Sequence, residues 1–122
     1  MLNRVFLIGR FVSDPELSHT QKGNPFSRFR IAVNTPYKDK KGNWQDDTLF
    51  IDCVVWGDAA DRVVERFLKG DRILVEGRLR QNSWKNENGE KRSKIEVVAL
   101  RVKALDPKRE EDEEESIDDI EF

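Results

Sequence analysis

The chain has 122 residues, room for one domain with a single core. Its net charge of −2 hides an asymmetry: residues 1–105 carry 20 Lys and Arg against 14 Asp and Glu, whereas residues 106–122 carry 2 against 10. One cysteine (Cys53) and one histidine (His19) exclude an internal disulfide and a cysteine-cluster metal site, and leave little material for zinc or a His-dependent triad.

Asn3–Phe11 (NRVFLIGRF) is an apolar-rich first strand, ended by Asp14-Pro15. It contains no long apolar run of the secretory kind, and no stretch reaches the length of a membrane span, so a cytoplasmic location is expected. His19–Pro25 is a polar turn. Phe26–Thr35 alternates cleanly, with Phe29, Ile31 and Val33 on one side and Arg28, Arg30 and Asn34 on the other. Tyr37–Asp47 is a long polar connection around Gly42-Asn43 and predicts a protruding hairpin. In Thr48–Gly57, Phe50, Asp52, Val54 and Trp56 share one face, and Leu49, Ile51, Cys53 and Val55 the other.

DAADRVVERFLKG is the one good helix signal. Asp58 is the expected cap, and Asp61 stands where a capping-box acid would. Ala60, Val63, Val64 and Phe67 form a buried face, Lys69 suits the C-terminal dipole, and Gly70 is the expected stop. A fourth strand follows in DRILVEGRLRQNSW, with a bend or bulge expected at Gly77. Asn88-Gly89 predicts a tight hairpin turn, and SKIEVVALRVKAL the fifth strand. After Asp106-Pro107 periodicity stops, and residues 106–122 read as a disordered acidic tail. Three strands, a helix and two strands give an all-β domain over residues 1–105, which must roll up to bury its apolar side. A five-stranded, partly open barrel fits, with an open sheet backed by the helix as the alternative.

Aromatic residues recur beside cations along the chain. Phe50 and Trp56 share a parity with the polar Asp52, and Trp84 shares one with Arg78, Arg80 and Asn82. Tyr37 and Trp44 lie in the polar hairpin, near Lys38, and Lys85 follows Trp84. Strand aromatics also serve as core or subunit-interface residues. Stacking on unpaired bases nevertheless requires such rings, because every base offers a π-face. Flanking Lys and Arg would neutralise phosphates without reading sequence. These residues point to a nucleic-acid binder and leave DNA and RNA undivided.

In order, NRVFLIGRFVSDPEL, FSRFRIAVNTPY and FIDCVVWGDAADRVVERFLKGDRILVEGRLR resemble the bacterial replicative single-stranded DNA-binding proteins, and the terminal DDIEF resembles that family's acidic tip. The resemblance implies an OB-fold, a Greek-key barrel with one short helix between its third and fourth strands. It implies a homotetramer built as a dimer of dimers, and sequence-independent binding of single-stranded DNA in replication, recombination and repair near the nucleoid. Tyr37, Phe50, Trp56 and Trp84 match the family's stacking aromatics; Trp44 has no assigned counterpart but is kept as a candidate. Lys69 matches a basic position, and Arg4, Arg28, Arg30, Lys38, Arg78, Arg80 and Lys85 complete the expected phosphate contacts. The tip Asp118, Asp119, Ile120, Glu121 and Phe122 is expected to dock on replication and repair enzymes, with Phe122 in an apolar pocket. Glu121 stands where the family has Pro, and the usual long linker is nearly absent, so the tail is expected to compete weakly with DNA at low salt.

A single-stranded RNA-binding barrel or a primosomal relative shares the fold but leaves the tip unexplained. A nuclease would need carboxylates held together on a metal, and Asp46, Asp47, Asp52 and Asp58 have no such spacing. No cofactor, metal or enzyme activity is expected.

Overall fold

The computed structural model describes residues 1–107; of the tail expected over residues 106–122, Asp106 is described and accepts from Arg72 N–H and Nε, whereas residues 108–122, with the tip Asp118 to Phe122, lie outside. Five long strands carry the fold: β1 (Val5–Phe11), β3 (Pro25–Asn34), β6 (Thr48–Trp56), β7 (Arg72–Lys85) and β8 (Lys91–Ala104). Three short ones, β2 (Ser18–His19), β4 (Tyr37–Lys38) and β5 (Trp44–Gln45), decorate the connections, and the helix α1 (Asp58–Arg66) lies between β6 and β7.

The sheet runs β1-β7-β8-β6-β3, and β1 pairs again with β3 through Arg10 with Ala32 and Phe11 with Ile31, closing a barrel. All long-strand pairings are antiparallel except β6 with β8, where Cys53 meets Val97 and Val54 meets Val98 in parallel. The expected rolled-up sheet is the observed one. Phe29 and Ile31 of β3, Cys53 and Val55 of β6, Ile73 and Val75 of β7, and Val97, Ala99 and Val102 of β8 point into the core. Phe11 sits between Phe29 and Phe67, with both ring-centroid distances 4.9 Å. Burial pushes the Cys53 thiol up to about 12, so it behaves as a small apolar group.

α1 sends Ala60 and Val63 into the core, joined by Phe67 just past its end; Val64 is only half-buried. Its start differs from expectation. The cap is Gly57, not Asp58, and no side chain caps the helix. Gly57 has φ 75° and ψ −151°, a combination open to glycine alone, while its N–H donates to Pro25 O. That kink turns the chain from strand to helix without an acceptor side chain. The end differs too: Phe67 is already extended, so Lys69 and Gly70 lie in the following turn rather than in the helix.

The bulge expected at Gly77 is present: Glu76 pairs with Arg101 and Gly77 with Ala99, leaving Leu100 as the extra residue of β8. A Cβ on Gly77 would stand 2.3 Å from Val98 O, so only glycine lets β7 and β8 approach there. The two strands run on past the β6 pairing to a hairpin end at Lys85 and Lys91, and Leu79 and Ile95 are exposed.

Among the described residues two charged side chains are buried, Arg66 and Glu96, and Glu96 is the more fully sealed. Glu96 of β8 is only 2% exposed. Arg80 Nη2 and Asn82 Nδ2 of β7 donate to its Oε1 at 2.7 and 2.8 Å, and Arg28 Nε of β3 stands 3.5 Å from Oε2. Burial alone would raise the Glu96 carboxyl, but the hydrogen bonds from Asn82 and Arg80 and the nearby guanidiniums outweigh it and hold the pKa below its ordinary value of 4.5. A folded-state pKa below the unfolded one adds stability at neutral pH, and that addition is lost as pH falls through the folded value. Glu96→Gln is therefore expected to cost about 1–3 kcal/mol at pH 7, with the gap narrowing on acidification. Urea unfolding at pH 7 and in the acid limb checks this; a gap independent of pH would contradict it.

Candidate nucleic-acid interface

The face opposite the core is set by strand parity and register. Across β3 and β6, Phe26 lies opposite Trp56, Arg28 opposite Val54, Arg30 opposite Asp52 and Ala32 opposite Phe50. The parallel pairing of Val54 with Val98 carries the same face onto β8. From there Arg78 pairs with Val98, Arg80 with Glu96, Asn82 with Lys94 and Trp84 with Arg92 on β7. Side chains directly opposite in a ladder point the same way. Barrel closure thus gathers Phe26, Phe50, Trp56 and Trp84, together with Arg28, Arg30, Arg78, Arg80, Arg92 and Lys94, onto one outer face.

The rings remain open to solvent. Phe50, Trp56 and Trp84 are 57%, 40% and 49% exposed, and are not core residues of this chain. Trp56 and Phe26 rest against each other at 4.9 Å between centroids, and the Arg28 guanidinium lies over Phe26 at 5.4 Å. This ring pair and its cation lie at the Trp56 end of the face.

The other expected residues are placed less uniformly. Tyr37 and Trp44 do lie on a separate hairpin, the β4–β5 ladder, and both are exposed. Lys38 pairs with Trp44 while Tyr37 pairs with Gln45, so the two rings occupy opposite sides of that ladder. The Lys38 ammonium stands 5.3 Å from the Trp44 ring centre. Asp39 knots the loop by accepting from the N–H groups of Lys41 and Asn43, both at 2.9 Å. Arg4 precedes β1, beside Asn3, which exchanges two hydrogen bonds with the Leu79 backbone. Lys85 pairs with Lys91 at the far end of the β7–β8 hairpin, one residue out of phase with Trp84. Lys69 lies in the turn after α1, where its N–H donates to Asp14 at 2.7 Å, away from the ladder positions of the face.

Two carboxylates stand among the cations. Besides buried Glu96 there is Asp52, whose Oδ1 accepts from Arg30 Nε at 2.8 Å and whose Oδ2 pairs with Lys94 Nζ. The Arg30 hydrogen bond foremost, and then Lys94, hold the Asp52 carboxyl below its ordinary range, against the opposite pull of partial burial. Among the described residues no cluster of His, Cys, Asp or Glu could hold a metal ion.

Sequence reasoning singled out neither Phe26 nor Glu96, and gave Arg92 and Lys94 no phosphate-contacting role. Phe26 shares a parity with Arg28 and Arg30, a signal that was available. Lys94 and Glu96 alternate with Ile95 and Val97, but their partners on β3, β6 and β7 become neighbours only when the barrel closes.

Residues 2–105 match the model of the Single-strand binding protein family. The chain is 40% identical to the "Single-stranded DNA-binding protein" of Aquifex aeolicus (strain VF5), over 99% of this chain and 84% of that one. It is 39% identical to "Single-stranded DNA-binding protein A" of Bacillus subtilis (strain 168), over 88% of this chain but only 62% of that protein. A solved structure of a deletion mutant of the single-stranded DNA binding protein from Thermus aquaticus superposes with a TM-score of 0.77 at 30% identity, covering 86% of this chain and 51% of that one. The Plasmodium falciparum SSB complex with ssDNA shares the fold, with a TM-score of 0.80 at 24% identity over 87% of this chain and 97% of that one. The chain belongs to the single-strand binding protein family.

Proposed function

We propose that the outer face of β3, β6, β7 and β8 binds single-stranded DNA without reading its sequence. The observation that carries this is the register: three stretches far apart in the chain place exposed rings and cations on one continuous face. Phe50, Trp56 with Phe26, and Trp84 stack on bases, Tyr37 extends the platform, and Trp44 offers a further ring on the hairpin. Arg28, Arg30, Arg78 and Arg80 face the phosphates, joined by Arg4, Lys38, Lys69 and Lys85 at the margins. Stacking is worth about 1–3 kcal/mol per base and tolerates any base. Family membership and the names of the relatives support the same reading.

The proposal extends to assembly. Phe6 and Ile8 of β1 are 65% and 54% exposed and lie on a second outer face with Leu74 of β7, away from the rings. An apolar patch of this kind, with Arg101 and Lys103 at its edge, suits contact with a second copy of the chain. The resulting homotetramer, a dimer of dimers, would let a long strand wrap several subunits in the cytoplasm, at the nucleoid, during replication, recombination and repair. The tip from Asp118 to Phe122 would recruit partner enzymes, and the acidic run before it would compete with DNA at low salt.

Titration with dT oligomers is expected to quench tryptophan emission. Trp56→Ala and Trp84→Ala are each expected to weaken binding by about 1–3 kcal/mol, with far weaker binding to duplex. Quenching by RNA at equal or lower concentration would favour an RNA-binding reading, and unchanged affinity of both variants would remove the face. Light scattering of the full chain is expected to give four subunits, and deletion of residues 110–122 to tighten DNA binding at low salt only. A monomer mass, or equal affinities at low salt, would contradict these two extensions respectively.

A further inference from the structure

A carboxylate at the centre of a face that meets a polyanion calls for a physical reason. Asp52 sits between Phe50 and Val54 on β6, and its side chain is 14% exposed. Its two oxygens are occupied by Arg30 from β3, across one ladder, and by Lys94 from β8, on the other flank. Arg30 Nη2 also reaches Oδ2 at 3.4 Å, so the guanidinium meets the carboxylate through two nitrogens. Both cations remain about half exposed, at 54% and 48%, so solvent or a phosphate can reach them while Asp52 itself stays withdrawn. Glu96 differs: it is sealed, and it joins three strands.

We propose that Asp52 is a built-in counter-ion of the strand-binding face, holding Arg30 and Lys94 in the unbound protein and competing with DNA phosphate for them. This rests on the assignment of that face to DNA. A cation already neutralised by a protein carboxylate cancels less phosphate charge, so fewer of the counterions condensed on the strand are released on binding. The electrostatic part of binding then depends less on salt than the number of cations on the face implies. Stacking, which does not depend on salt in this way, carries a larger share of the affinity. Asp52 thereby tunes how steeply binding weakens with salt, and keeps Arg30 and Lys94 in place on the same face as Phe50.

The test compares Asp52→Asn, Arg30→Gln and Lys94→Gln with the parent chain, measuring dT-oligomer binding across a salt series and thermal unfolding without DNA. Asn keeps the shape of Asp and removes its charge. Asp52→Asn is expected to tighten binding roughly 3- to 10-fold at low salt and to steepen the slope of log K against log salt by about 0.7–1.4, the equivalent of one or two phosphates. The two cation variants are expected to weaken binding and flatten the slope. A merely structural Asp52 would shift the melting temperature and leave the slope unchanged. If Asp52→Asn leaves the slope unchanged, or weakens binding at every salt concentration, while the cation variants still weaken binding, the counter-ion role is overturned and the face stands. If all three variants bind as the parent does, the assignment of the face fails, and this inference with it.

Discussion

A sheet of five long strands has two edges to satisfy, and this chain joins them to each other. β6 takes β8 in parallel at Cys53 and Val54, and β1 bridges β7 and β3. Closure seals the core without a second layer, so one short helix packed against it is enough. It also fixes which distant residues become neighbours on the outside. The β7–β8 hairpin brings Trp84, Arg80 and Lys94 to the flank of β6, where Phe50 and Trp56 already face outward. The bulge at Gly77 serves the same end, since a Cβ there would collide with Val98 O and push β7 off β8.

The outer face combines two kinds of attraction with different ranges. Rings act at contact and are indifferent to salt and to base identity. Cations act over several ångströms and are screened. Their charges are partly cancelled before any ligand arrives, by Asp52 on one side and Glu96 on the other. A face built this way holds its long side chains in defined positions, which reduces the ordering that binding would otherwise require. It does not attract polyanions as strongly as its count of Arg and Lys implies.

Much of this was legible in the residues. The alternation of Phe29, Ile31 and Val33 with Arg28 and Arg30 fixed the two sides of β3, and the parities of Phe50, Trp56 and Trp84 put the rings on the polar side. The glycine before the helix was harder to read. Asp58 has the chemistry of a cap, but the strand ends in a backbone conformation that only Gly57 can adopt, which shifts the helix start by one residue. Trp44 and Tyr37 lie close in sequence, yet a two-residue ladder turns them to opposite sides. Glu96 looks like an interruption in an apolar run; its meaning comes from Arg80, Asn82 and Arg28, which reach it from other strands. Local periodicity reports which way a side chain points, and it is silent about what closure places next to it.

The most direct measurement is photo-crosslinking of the full chain to single strands carrying 5-iodouracil at single positions, with the attached residues located by mass spectrometry. The account predicts attachment at Phe50, Trp56, Trp84 and Tyr37, and none at Phe6 or on the β1 side of the barrel. Attachment concentrated at Phe6, with Trp56 and Trp84 untouched, would contradict it and place the strand on the opposite face.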